Sequence, residues 1–156
     1  MSHGPRSKMW TMGGEEKRAL LLDTHVWVWY VENESKRFSR RIVSPVESAV
    51  GRGALLVSAI SVWEVAQLEA LRRLELTMDV RTWVAQALSF PGLRLHGLSA
   101  SIAIDSTHLP GSIHRDPADR ILIATARRVG ATFVTCDERI LTYARAGHVK
   151  ALDARP

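Results

Sequence analysis

The chain has a single cysteine, Cys136. One thiol excludes an internal disulfide, a zinc cluster built on thiolates and an iron–sulfur centre, and it makes a reducing cytosol the expected compartment. No apolar run approaches the roughly 18 residues that a membrane-spanning helix needs. There is no internal repeat, no low-complexity block and, after residue 18, no linker. A serine–histidine–acid order pointing to covalent catalysis is also missing. Residues 1–18 hold no apolar stretch of the kind a signal peptide requires. They read as a disordered tail or a mis-assigned start, with Met9 and Met12 as alternative first residues.

What remains suffices for one folded domain, residues 19–153. A length of 156 residues is too short for two comfortable domains, and 46% hydrophobic residues can fill one sizeable core. The formal net charge of +5 favours polyanionic partners, nucleic acid first among them. Short apolar runs recur at Ala19–Leu22, Ala54–Val57 and Ala131–Val134, with a last short strand over Val149–Leu152. None of the three runs alternates polar with apolar, as expected of strands covered on both faces in a parallel sheet. Helical signals lie between them. Ser44-Pro45-Val46-Glu47 and Ser61-Val62-Trp63-Glu64 have the spacing of a capping box. Val80, Trp83, Val84, Ala87 and Leu88 form one apolar helix face, stopped by Pro91-Gly92. Ser99 starts a short helix, Asp116-Pro117 starts one that ends at Gly130, and Asp137 opens the last. Strands alternating with helices predict an α/β fold around a short parallel sheet.

The chemistry lies in where the acids fall. Asp23 ends the first strand, Glu64 lies early in the helix after the second, and Asp137 follows the third. Ligands of open parallel sheets bind beyond the carboxyl ends of the strands. Asp116 and Asp119 open a helix that leads into a strand, and a simple doubly wound picture puts them at the far edge. Each acid alone has an equally good structural account: Glu64 completing a capping box with Ser61, Asp23, Asp116 and Asp137 as caps, Asp119 near a positive helix end. As a set they point to a hard divalent cation, since Mg²⁺ needs only one or two carboxylates plus water and substrate phosphate. That is chemistry aimed at phosphodiesters.

Four ordered segments resemble a known family: Leu22-Asp23-Thr24-His25-Val26-Trp27, Val57-Ser58-Ala59-Ile60-Ser61-Val62-Trp63-Glu64, His114-Arg115-Asp116-Pro117-Ala118-Asp119-Arg120 and Val134-Thr135-Cys136-Asp137. They are similar to the motifs of the PIN-domain ribonucleases, and most similar to the VapC toxin branch, across Ala19 to Leu152. The resemblance implies a PIN-like fold in which the helix bearing the third acid reaches the site. It implies that Asp23, Glu64, Asp119 and Asp137 gather around one or two Mg²⁺ or Mn²⁺ ions, Glu64 directly or through water, with Asp116 as a fifth acid or a cap. Thr135 matches a hydroxyl that orients a carboxylate or a water. Transfer or ribosomal RNA loops are the implied substrates, a cognate antitoxin the implied partner, a homodimer the implied assembly. Arg115, Arg120 and Arg139 flank the acids and are candidates for RNA phosphate contacts, while Arg127 and Arg128 read as solvated. His25 reads as a packed histidine and Trp27, Trp29, Trp63 and Trp83 as core or interface. Three rival readings are an RNA-maturation nuclease that is not a toxin, a receiver-like phosphoryl switch and an inactive RNA-binding module. The switch requires a late lysine in the right context, and Lys150 lacks one.

Overall fold

A computed structural model describes residues 18–156. The tail expected over residues 1–18 therefore lies, except for Arg18, outside the described residues, and so does Trp10. Five strands form one sheet: β1 (Leu20–Leu22), β2 (Leu55–Ser58), β3 (Leu93–His96), β4 (Thr132–Thr135) and β5 (Ala151–Asp153). Their order is β3-β2-β1-β4-β5 and every pairing is parallel. Seven α-helices accompany them among the described residues: α1 (Thr24–Val31), α2 (Val43–Gly51), α3 (Ala59–Ala70), α4 (Val80–Leu88), α5 (Ala100–Thr107), α6 (Pro117–Val129) and α7 (Glu138–Arg145). None is long and apolar enough to cross a membrane.

Successive strand residues face opposite ways, so β1 feeds two cores. Leu20 and Leu22 join Trp27, Val57, Val65 and Trp83 on one side of the sheet. Leu21 joins Leu122, Ile123, Phe133 and Ile140 on the other. This is why the strands read as unbroken apolar runs.

The structure departs from the sequence reading in several places. β3 was not expected. It is an edge strand whose Arg94 and Leu95 are exposed, so it lacks the doubly buried signature of the others. Helix α1 was not expected either. Its sequence Thr-His-Val-Trp-Val-Trp-Tyr-Val has no polar stripe, and four of its eight residues are buried, which erases the helical period. Ser44 is no N-cap, because a 3-10 turn over Arg40–Ile42, capped by the Ser39 hydroxyl, runs straight into α2. Helix α3 starts three residues early, capped by Ser58 Oγ rather than Ser61.

The far-edge picture for Asp116 and Asp119 is wrong. In a parallel crossover the helix runs antiparallel to the strands. A helix that enters a strand therefore begins where the strands end. Helix α6 is 13 residues long, about 20 Å at 1.5 Å per residue, and carries its first turn back to the carboxyl edge of the sheet.

Candidate active site

Each acid is delivered to that edge by a different piece of backbone. Asp23 is the residue at which β1 becomes α1, its backbone N–H still bonded to the Val134 carbonyl of β4. Glu64 lies on the second turn of α3, Asp119 on the first turn of α6, and Asp137 between β4 and α7. Asp23, Glu64, Asp116, Asp119 and Asp137 line a single cavity of about 360 Å³, together with Thr24, His25, Trp29, Cys136 and Arg139. A larger recess of about 740 Å³ lies elsewhere, between α1 and α2. It is mostly apolar, and Glu47 is its one acid.

Two threonines tie the acids together. Buried Thr24 has its hydroxyl 2.6 Å from Oε1 of Glu64 and 2.8 Å from Ser61 Oγ, so it donates to the carboxylate and accepts from the serine. The capping box offered for Glu64 is therefore ruled out: Ser61 is buried inside α3 and Glu64 turns to α1. Buried Thr135 donates to Oδ2 of Asp23 at 2.7 Å and accepts the Asp137 N–H at 3.0 Å. Asp23 Oδ1 also accepts the Thr24 N–H at 2.8 Å.

Asp116 is the N-cap of α6, its Oδ1 accepting the Asp119 N–H at 2.9 Å. Asp119 is engaged by His114, whose Nε2 lies 2.7 Å from Oδ2. Asp137 caps α7 through the N–H groups of Arg139 and Ile140 and is clamped by the Arg139 guanidinium, Nη2 to Oδ2 at 3.0 Å. Capping and membership of the acid cavity are thus not alternatives, since Asp23, Asp116 and Asp137 do both.

Burial and crowding raise the proton affinity of three of these groups. Desolvation pushes Asp23 up to about 6 against the Thr135 hydrogen bond, with repulsion from Asp119 adding to it. Glu64 is pushed up to about 7, first by desolvation and then, despite the Thr24 bond, by Asp119, Asp23 and Asp116. Desolvation also raises Asp119, opposed by His114 and reinforced by Asp116 and Asp137. Asp137 goes the other way: partial burial raises it, but the Arg139 interactions outweigh that and hold it below the usual carboxylate range. The Cys136 thiol is raised by burial and by Asp153 and Asp23, which disfavours its thiolate.

The donor set is oxygen throughout, and its charge is only partly compensated, which suits a hard cation. Among the described residues no three His, Cys, Asp or Glu side chains stand close enough, as placed, to hold an ion between them. Each carboxylate is turned to its own protein partner instead. Because Mg²⁺ takes only one or two protein carboxylates and fills its octahedron with water and phosphate, the residues present still fit it.

The remaining candidates divide. Arg139 lines the cavity, but Arg115 is exposed beside Pro117 and Arg120, in a separate recess. Arg120 is committed within the protein, its Nε donating to the Ser106 carbonyl at 2.8 Å and its Nη1 reaching the Ile113 and His114 carbonyls. Arg128 pairs with Asp105 at 2.8 Å, and Arg127 donates to the His148 carbonyl. His25 is not packed away: it is exposed at the cavity beside Trp29, because the second residue of α1 points outward. Trp27 and Trp83 are core, in edge-on contact at 5.2 Å, whereas Trp63 is 56% exposed. Sequence reasoning missed Thr24 and His114. Both stood within the matched motifs, but only the fold shows their partners.

The PIN domain family matches residues 20–146. The chain is 36% identical over 124 residues to Ribonuclease VapC22 of Mycobacterium tuberculosis (strain ATCC 25618 / H37Rv), a match that covers 80% of this chain and 91% of that protein. Solved structures share the fold, among them the following two. VapBC2 from Rickettsia felis, bound to a promoter DNA fragment, aligns with a TM-score of 0.61 at 16% identity over 87% of this chain and 98% of that one. DNA-bound VapBC from Salmonella typhimurium aligns with a TM-score of 0.59 at 16% identity over the same shares. With the expected sheet, the ordered motifs and a match along most of its length, the chain belongs to the PIN-domain family, in its VapC branch.

Proposed function

We propose that this protein is a metal-dependent endoribonuclease and the toxin of a VapBC-type pair. The observation that carries the reading is the convergence of carboxylates from four separate elements on one cavity, with Asp23 and Glu64 raised to about 6 and 7. Buried, desolvated carboxylates that also repel one another are stabilised in their charged form by a cation. Mg²⁺ or Mn²⁺, one ion or two, is the class of cation this donor set takes. The chemistry such an ion supplies when bound is acidification of water and neutralisation of phosphate charge.

The chain's own residues do the rest. One or two ions would be held by Asp23, Asp119 and Asp137, directly or through water, and Glu64 would support directly or through a water. Thr135 fixes Asp23 relative to Asp137, and Thr24 fixes Glu64. Asp116 secures the first turn of α6, so that Asp119 keeps its place. Arg139, released from Asp137, is free to meet an RNA phosphate at the mouth of the cavity. Arg115 contributes from the neighbouring recess, whereas Arg120 acts within the protein. The net charge of +5 draws RNA towards the chain.

The substrate in this reading is a transfer or ribosomal RNA loop, and the compartment is the cytosol. A cognate antitoxin restrains the enzyme by covering the acidic cavity. The assembly in this reading is a homodimer. The test is incubation of the purified full chain with total RNA, with and without Mg²⁺, and mapping of new 5′ ends. Discrete Mg²⁺-dependent ends within RNA loops are expected. Intact RNA from folded, metal-supplied protein refutes the nuclease reading. Cleavage confined to precursor ends supports the maturation nuclease instead.

A further inference from the structure

We propose that His114 is a positioning residue: it holds one oxygen of Asp119 so that the other is presented to a cation. The inference rests on the metal-site reading above. His114 Nε2 and Asp119 Oδ2 are 2.7 Å apart, and each side chain is only 16% exposed. The other ring nitrogen, Nδ1, is buried without a hydrogen-bond partner. A buried N–H with no acceptor costs more than a buried lone pair, so the ring carries its hydrogen on Nε2 and directs it at the carboxylate.

The ring is itself fixed from behind. Arg120, the next residue after Asp119, reaches back from α6 to the carbonyl oxygens of Ile113 and His114 and bonds Ser106 on α5. Two consecutive residues of one helix turn thus grip His114, Asp119 through the imidazole and Arg120 through the main chain. The segment between α5 and α6 is pinned a second time where Tyr143 Oη donates to the Pro110 carbonyl at 2.5 Å. These contacts leave the Asp119 carboxylate little rotational freedom. A carboxylate with one oxygen held by a ring N–H keeps its other oxygen free, which is how outer groups orient metal ligands.

Mn²⁺ binding to the full chain, followed by the electron paramagnetic resonance of the free ion, tests this without reference to catalysis. The variants are His114→Ala, His114→Asn and His114→Gln, each checked for native circular dichroism. Glutamine carries its amide nitrogen about as far out as Nε2, and asparagine falls short. The Ala and Asn variants should bind Mn²⁺ about tenfold more weakly than wild type, while Gln stays within about threefold. If all three bind as wild type does, His114 positions nothing. If Gln and Asn are weakened equally, or if all three lose the fold, His114 is a structural residue and the proposal is overturned. If the wild type itself binds no Mn²⁺ at millimolar concentration, the metal-site reading fails, and this inference falls with it.

Discussion

The hydroxyl of Thr135 donates to Oδ2 of Asp23 at 2.7 Å, across 112 residues of sequence. That bond favours the charged carboxylate and opposes the desolvation that raises Asp23 to about 6. Thr135→Val removes the donor and keeps the shape. Asp23 should then titrate higher still, and the acid limb of the pH–rate profile for RNA cleavage should move to higher pH. Activity at pH 7 should fall about tenfold, in line with ~1.5–3 kcal/mol for a hydrogen bond to a charged group. Thr135→Ser should behave as wild type. An unchanged pH profile in folded Thr135→Val contradicts the assigned role.

The two aspartates of the third motif should separate by function. Asp116→Ala removes the cap of α6 and should lower stability by about 0.5–2 kcal/mol while the folded fraction keeps much of its activity. Asp119→Asn should abolish cleavage yet leave the metal-free fold as stable or slightly more so, because it removes a crowded, desolvated charge. It should also erase much of the stabilisation that Mg²⁺ gives the wild type. Denaturant melts with and without Mg²⁺, beside a cleavage assay, check both. An active Asp119→Asn with a folded, inactive Asp116→Ala reverses the assignment.

Stability of the metal-free protein should fall as pH rises from about 5 to 8. Asp23 shifts from 3.8 to about 6 and Glu64 from 4.5 to about 7 on folding. Over that window the native state binds more protons than the unfolded chain, so raising pH costs stability. The loss is complete once both groups are ionised in the folded state. Stabilisation by Mg²⁺ should grow through the same window, because protons and the cation compete for the same oxygens. Glu64→Gln should flatten the upper part of the metal-free curve. Urea melts at pH 5.5, 6.5 and 8 measure it, and a metal-free protein most stable at pH 8 contradicts the electrostatic account.

Gly92 connects α4 to β3 with φ +75°, and a Cβ there would lie 2.3 Å from the Val50 carbonyl oxygen of α2. Gly92→Ala should destabilise by about 2–4 kcal/mol, from backbone strain and forced separation of α2 from the edge strand. A loss under ~1 kcal/mol in a denaturant melt shows that this junction yields more easily than the geometry allows.

The same junction shows what the sequence could carry. Pro91-Gly92 was legible as the end of α4, but the strand that follows was missed: Leu93-Arg94-Leu95-His96 alternates apolar with polar over only four residues and lacks the unbroken apolar run of the central strands. The three central strands were legible because burial on both faces writes itself as an unbroken apolar run. Helix α1 stayed hidden for the same reason turned round, since burial on most sides removes the period that marks a helix. Among the acids, Asp23, Glu64, Asp116, Asp119 and Asp137 were named from the sequence and its family resemblance, and all five line one cavity. Their partners could not be named, because Thr24 meets Glu64 across 40 residues and Thr135 meets Asp23 across 112. His114 stood in plain view five residues before Asp119, but only the fold turns its ring onto the carboxylate.

The central claim is that the acid cavity holds the cation that RNA cleavage requires. The most direct measurement is the cleavage rate of the purified full chain on a mapped RNA substrate. Free Mg²⁺ is titrated from excess chelator upwards, with Asp23→Asn purified identically as the control for contaminating nuclease. The account predicts no cleavage in chelator, saturable restoration by Mg²⁺ and no activity in Asp23→Asn at any Mg²⁺ concentration. Full cleavage in chelator by the wild type, absent from Asp23→Asn, would contradict it.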